Sequence, residues 1–91
     1  MLDTDINNIY RLSLAKKGKK AIAMDYMIDS AGLIKEISRN LKGDNNIEKV
    51  YLELAKVSLS VDLLVQAYNG SNSVLKNKHE LLIRLRERLK E

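Results

Sequence analysis

The sequence contains no cysteine, no proline, no phenylalanine and no tryptophan, and it has a single histidine. Each absence excludes something. Without cysteine there is no disulfide and no thiolate metal site, as expected of a protein kept in the reducing cytoplasm. With one histidine, a zinc site needs three carboxylate partners. That residue, His79, begins "HELLIR", but the zinc-protease pattern needs a second histidine four positions on, where Ile83 stands. Nucleophile-plus-base catalysis would have to rest on His79 and a serine brought beside it. His79 therefore reads as an ordinary helix residue.

Apolar runs are short, and none approaches the ~20 residues of a membrane span. The opening "MLDTDINN" is acidic and polar, unlike a secretion signal. An intracellular, soluble protein without membrane contact is the expectation. Proline is missing, aromatics make up only 4%, and strand-like alternation is absent, so a β-rich domain is disfavoured.

Leucine, isoleucine, alanine, lysine and glutamate dominate instead. Ninety-one residues, 45% of them apolar, suit one globular domain, residues 1–91, with no second core. The expected architecture is all-α: a small antiparallel helical bundle of three to four helices, with short loops near 18, 43–45 and 69–73.

Asp3, Thr4 or Asp5 can cap a first helix over residues 4–17, with Ile6, Ile9, Tyr10, Leu12 and Leu14 at helical spacing. Gly18 interrupts it, as a turn or as a wet section of one longer helix. Ala23, Met27, Ser30/Ala31, Ile34, Ile37 and Leu41 form a heptad-like stripe on a second helix. Lys42 and Gly43 stop it, and Asp44 or Asn45 can cap the next. The third helix carries two stripes. One runs Ile47, Val50/Tyr51, Leu54, Val57, Val61, Leu64, Tyr68; the other runs Leu52, Ala55, Leu59, Leu63. A helix apolar on two faces contacts a second subunit as well as its own, so Leu52, Leu59 and Leu63 are expected at a homo-oligomer interface. Asn69 and Gly70 end it, and Ser71 or Ser73 caps a fourth helix over 74–89, whose inner stripe is Leu75, Leu82, Leu85 and Leu89.

Charge is uneven. The net charge is +4, with pI near 9.4, but residues 11–20 alone carry five positive side chains and no negative one: Arg11, Lys16, Lys17, Lys19 and Lys20. The last helix adds Lys76, Lys78, Arg84, Arg86 and Arg88. If the first and last helices are neighbours, Lys16, Lys17, Lys19, Lys20, Arg84, Arg86 and Arg88 merge into one stripe, the footprint of a phosphate-backbone binder. "KKGKK" is no Walker loop, which needs two glycines between a strand and a helix. It does place lysines at a helix start, where anions are favoured and positive side chains are not. Tyr10 is the one tyrosine placed to stack on a base, while Tyr51 and Tyr68 fall on a core stripe. Contact with duplex DNA or RNA therefore fits better than single-strand stacking. No helix-turn-helix spacing points to sequence-specific reading.

Carboxylates offer one catalytic alternative. Asp25 and Asp29 stand one turn apart and can share a magnesium ion, as in a helical nucleotide hydrolase. A second acidic pair is missing, since Glu53 is followed at i+3 by Lys56 and Glu48 by Tyr51. The expectation is thus a non-enzymatic, oligomeric, nucleic-acid-binding protein with no cofactor and no metal. The alternative is an adaptor or inhibitor whose basic face meets an acidic partner protein. The magnesium-dependent hydrolase stands third.

Overall fold

A computed structural model describes residues 3–90, which are helical throughout apart from short connections. Helix α1 spans Asp3–Leu41, α2 Ile47–Ala67 and α3 Ser71–Leu89. The caps expected of Asp3 or Thr4 fall outside the described side chains.

The joint at Gly18 is a bend rather than a loop. Gly18 takes φ 77°, ψ 164°, and helix continues on both sides. This backbone region is essentially open only to glycine. Nothing stands within 4 Å of where a Cβ would sit, so conformation, not space, demands glycine there. The two helices expected on either side of Gly18 are thus both present, joined by a sharp kink at Gly18, and are numbered together as α1.

After Leu41 the chain closes with paired backbone bonds. The Asp44 amide donates to Arg39 O (3.1 Å) and the Gly43 amide to Asn40 O (3.0 Å), with Gly43 at φ 106°. Asn46, not Asp44 or Asn45, occupies the start of α2, and its side chain makes no cap bond. The side chains of Asp44 and Asn46 are engaged elsewhere. Asp44 accepts from Arg39 Nε at 3.0 Å, and Asn46 Nδ2 donates back to Glu36 O at 2.9 Å. The second corner is built the same way, with Asn69 at φ 51° and the Gly70 amide donating to Val65 O at 2.9 Å. Gly70 caps α3, and neither Ser71 nor Ser73 does.

α1 and α2 pack closely along their length. Asn46 meets Glu36, Glu53 lies over Gly32, Ser60 donates to Asp29, and Tyr68 lies under Lys19. Over residues 19–41 the partner on α1 falls as the position rises on α2, so that section runs opposite to α2. The section before Gly18 doubles back, since Tyr10 meets Asp62, earlier on α2 than the Tyr68 that Lys19 covers. The all-α architecture of three helices is the expected one, but the expected antiparallel bundle is not, since α3 does not lie along the other two. α3 meets α2 only sparsely, near its start beside Val61 and Val65, and every residue from Ser71 to Lys90 is exposed.

The seam between α1 and α2 is more polar than the stripes suggest. Ile22 and Val50 are buried, but so are Glu36, Asn46 and Ser60. The heptad stripe of α1 faces away from α2, with Met27 67%, Ile34 68% and Leu41 82% exposed. Tyr51 and Tyr68, expected in the core, are also exposed. The cause is pairing. Asp29 and Glu36 find hydrogen-bond partners on or near α2, and turning them inward turns Met27 and Ile34 outward, since a helix buries one stripe at a time.

Candidate nucleic-acid interface

The bend at Gly18 sets the lysines. Lys16 and Lys17 end one straight section of α1 and Lys19 and Lys20 begin the next, all four with exposed side chains. Lys17 Nζ lies 2.8 Å from Asp25 Oδ2, two turns further on. That hydrogen bond, helped by the carboxylate charge, raises the Lys17 ammonium above its ordinary value. Lys19 Nζ stands 4.7 Å from the Tyr68 ring centroid, within cation–π range. Lys16, Lys19 and Lys20 have no carboxylate partner among the described residues.

Tyr10 points at α2, where its hydroxyl donates to Asp62 Oδ2 at 3.2 Å. Partial burial, then the bond to Asp62, raises its phenol above the usual value. The residue expected to stack on a base is instead a bolt that fixes the first section of α1 on α2. Tyr68 is the ring left open, under Lys19.

Near it lies a feature the linear sequence did not disclose. Asn7, Asn8 and Arg11 of α1 face Gln66, Asn69, Ser71 and Asn72 at the second corner across an open cleft of about 740 Å³. Arg11 is held by a hydrogen bond to Asn8 Oδ1. The cleft is lined by amide and guanidinium groups, which donate to phosphate and sugar oxygens and to base edges. Two segments far apart in the chain contribute, so spacing alone gives no signal. The one hint was the density of asparagine at 7–8 and 69–72.

Arg84, Arg86 and Arg88 lie on exposed α3, Arg86 Nε at 3.7 Å from Glu87. α1 and α3 make no contact, so within one chain the lysines and the arginines are not brought side by side. His79 is likewise exposed on α3.

The expected acidic pair is divided. Asp25 is bound to Lys17, while Asp29 accepts from the buried Ser60 hydroxyl. No group of three metal-ligating side chains occurs among the described residues. Leu52 and Leu59 are about half exposed, and Leu63 with Ile28 and Leu59 lines a groove between α1 and α2. No helix among the described residues is long and apolar enough to cross a membrane. No family model matches this sequence, and no characterised protein or solved structure shows significant similarity to it.

Proposed function

We propose that the chain is a non-enzymatic, cytoplasmic binding module that works as a homo-oligomer and holds the phosphate backbone of duplex DNA or RNA. The groups that carry it are Lys16, Lys17, Lys19 and Lys20 at the bend, with Arg84, Arg86 and Arg88 on α3. The supporting observation is the bend itself. A single glycine splits the helix inside the most basic stretch of the chain, and three of its four lysines have no carboxylate partner among the described residues. Lysines of this kind neutralise phosphates and release condensed counterions, which drives binding without reading sequence. The polar cleft beside Arg11 adds hydrogen-bonding groups next to that charge.

A second reading, an adaptor for an acidic protein, draws on the exposed apolar side chains of α1 and α2, which a protein partner would cover. The test separating them is retention on duplex DNA, on duplex RNA and on an acidic protein resin across a salt series. The first reading expects both duplexes to be held at ~50 mM salt and released steeply above it. Absence of duplex binding there puts the adaptor reading first.

A further inference from the structure

Two surfaces of this chain lack a partner, and they match. The first is the groove between α1 and α2 lined by Ile28, Leu59 and Leu63, with Leu52 one heptad before Leu59. The second is the apolar stripe of α3, Leu75, Leu82 and Leu89, also at heptad spacing and largely exposed. We propose that α3 of one copy docks into the α1–α2 groove of a second copy, and that the exchange is reciprocal. The inference deepens the homo-oligomer half of the reading above and is independent of nucleic acid.

The protomer's own α3 is ill placed to fill this groove. α3 leaves α2 beside Val61 and Val65, which line a cleft with Val74 and Leu75. Leu59 and Leu63 each precede one of those valines by two positions, and positions two apart lie about 160° apart around a helix. The connection spans only Tyr68–Gly70 and is closed by its own backbone hydrogen bonds. It is too short and too ordered to carry α3 round to the far side of α2.

The area also fits. The chain exposes 7512 Å², whereas a compact monomer of 10.4 kDa exposes about 5,400 Å². Its radius of gyration is 16.0 Å, against about 12 Å for a compact domain of this length. The excess, near 2,100 Å² per copy and so about 4,200 Å² for two, lies within the roughly 2,000–5,000 Å² total that obligate homodimers bury. A reciprocal, two-fold exchange covers the groove and α3 together. A foreign partner in the groove would leave α3 bare, and a 19-residue helix without tertiary contacts is marginal in water. Charge neither favours nor opposes the docking, since Asp25 and Asp29 line the groove together with Lys17 and Lys56.

The absence of cysteine gives a clean background for the test. Leu59→Cys and Leu82→Cys are made separately, the second with a size tag, then mixed, dissociated in mild denaturant, returned to buffer and oxidised. Each copy carries one thiol, so a disulfide between the two variants must join different copies. The expected result is that tagged–untagged dimer predominates over like–like dimers. In parallel, light scattering should give wild type the mass of a dimer, and Leu82→Glu the mass of a monomer that retains the helical signal of α1 and α2. Three results overturn the proposal. A monomeric wild type at ~100 μM sinks the oligomer reading with it. A dimer that forms no mixed disulfide, or that survives Leu82→Glu, leaves the oligomer standing and removes the exchange. A Leu59→Cys/Leu82→Cys double variant that closes within one chain does the same.

Discussion

Replacing Lys16, Lys17, Lys19 and Lys20 together by glutamine tests the basic bend quantitatively. On a duplex, log affinity falls with log salt at a slope of about −0.9 per phosphate neutralised. Four independent lysines would contribute roughly −3.6 on that scale. The structure lowers the figure, because Lys17 already has Asp25 at 2.8 Å and must give up that partner to reach a phosphate. Three available lysines give about −2.7, and over a fourfold change in salt, from ~50 to ~200 mM, this is a difference near forty-fold. The wild type should thus lose about forty times more affinity than the variant across that range. Fluorescence anisotropy with a labelled duplex of random sequence measures it, and two unrelated sequences should weaken alike, since phosphate contacts do not specify. Folding should be unaffected, since all four side chains are exposed. Removing positive charge from the start of the second section of α1 even relieves an unfavourable dipole interaction of a few tenths of a kcal/mol. A variant whose slope matches wild type would refute the reasoning, and the lysines would then serve only to solvate a bend.

Three further outcomes follow from the packing. Ser60→Ala removes the buried hydroxyl that donates to Asp29, and should cost about 1.5–3 kcal/mol by chemical denaturation, as loss of a hydrogen bond to a charged group does; a cost under ~0.5 kcal/mol, the surface range, contradicts the seam described here. Gly18→Ala forces a side chain into backbone territory that disfavours it, costing about 1–3 kcal/mol or straightening α1, and in either case the Tyr10–Asp62 bond should weaken. Tyr10 should titrate above the ordinary phenol value of 10.0 in ultraviolet difference spectra, and Asp62→Asn should lower its pKa only in part, because burial is the larger cause. The raised phenol pKa also fixes the sign with pH. The neutral form is the one the fold favours, so this contribution is intact below the unfolded value of 10.0 and is lost as pH rises through the folded one.

Local features were well marked in the sequence. Gly18, Gly43 and Asn69–Gly70 sit where the backbone leaves helical angles, and each is a residue that tolerates positive φ. The clustering of lysine about Gly18 is likewise a matter of adjacent residues. The inward face of each helix was not legible, because it depends on partners far away in the chain. Asp29 and Ser60 are 31 positions apart, and Glu36 and Asn46 are joined only once the turn after Leu41 has closed. A hydropathy stripe counts Asp29 and Glu36 as solvent-facing, since unpaired they would be. Paired, they enter the seam and displace Met27 and Ile34 to the outside. The same holds for Tyr10, whose role as a bolt is set by Asp62 on another helix. The asparagine-lined cleft is assembled from the start of α1 and the corner before α3, so no single window contains it.

The apolar stripes still require an account, because hydrophobic side chains at heptad spacing on three helices are costly to leave in water. Leu52 and Leu59 on α2, Met27 and Ile34 on α1, and Leu75 and Leu82 on α3 are all exposed in the single chain. Their spacing suits helix-to-helix seams, and no helix among the described residues lies over them. Closure by a second copy accounts for the stripes, for the bare third helix and for the excess surface with one contact. It would also change the electrostatics. Docked with its C-terminal end toward the bend, α3 would pass along Asp25 and Lys17. Arg84, Arg86 and Arg88 of one copy would then lie near Lys16, Lys19 and Lys20 of the other. The basic stripe that one chain does not assemble would form across two. Duplex binding should therefore follow the dimer. Leu82→Glu, which removes no positive charge from either cluster, should lower duplex affinity and flatten its salt slope as the protein becomes monomeric. If the monomeric variant binds with the wild-type slope, the two basic clusters act separately, and α3 has no part in holding the duplex.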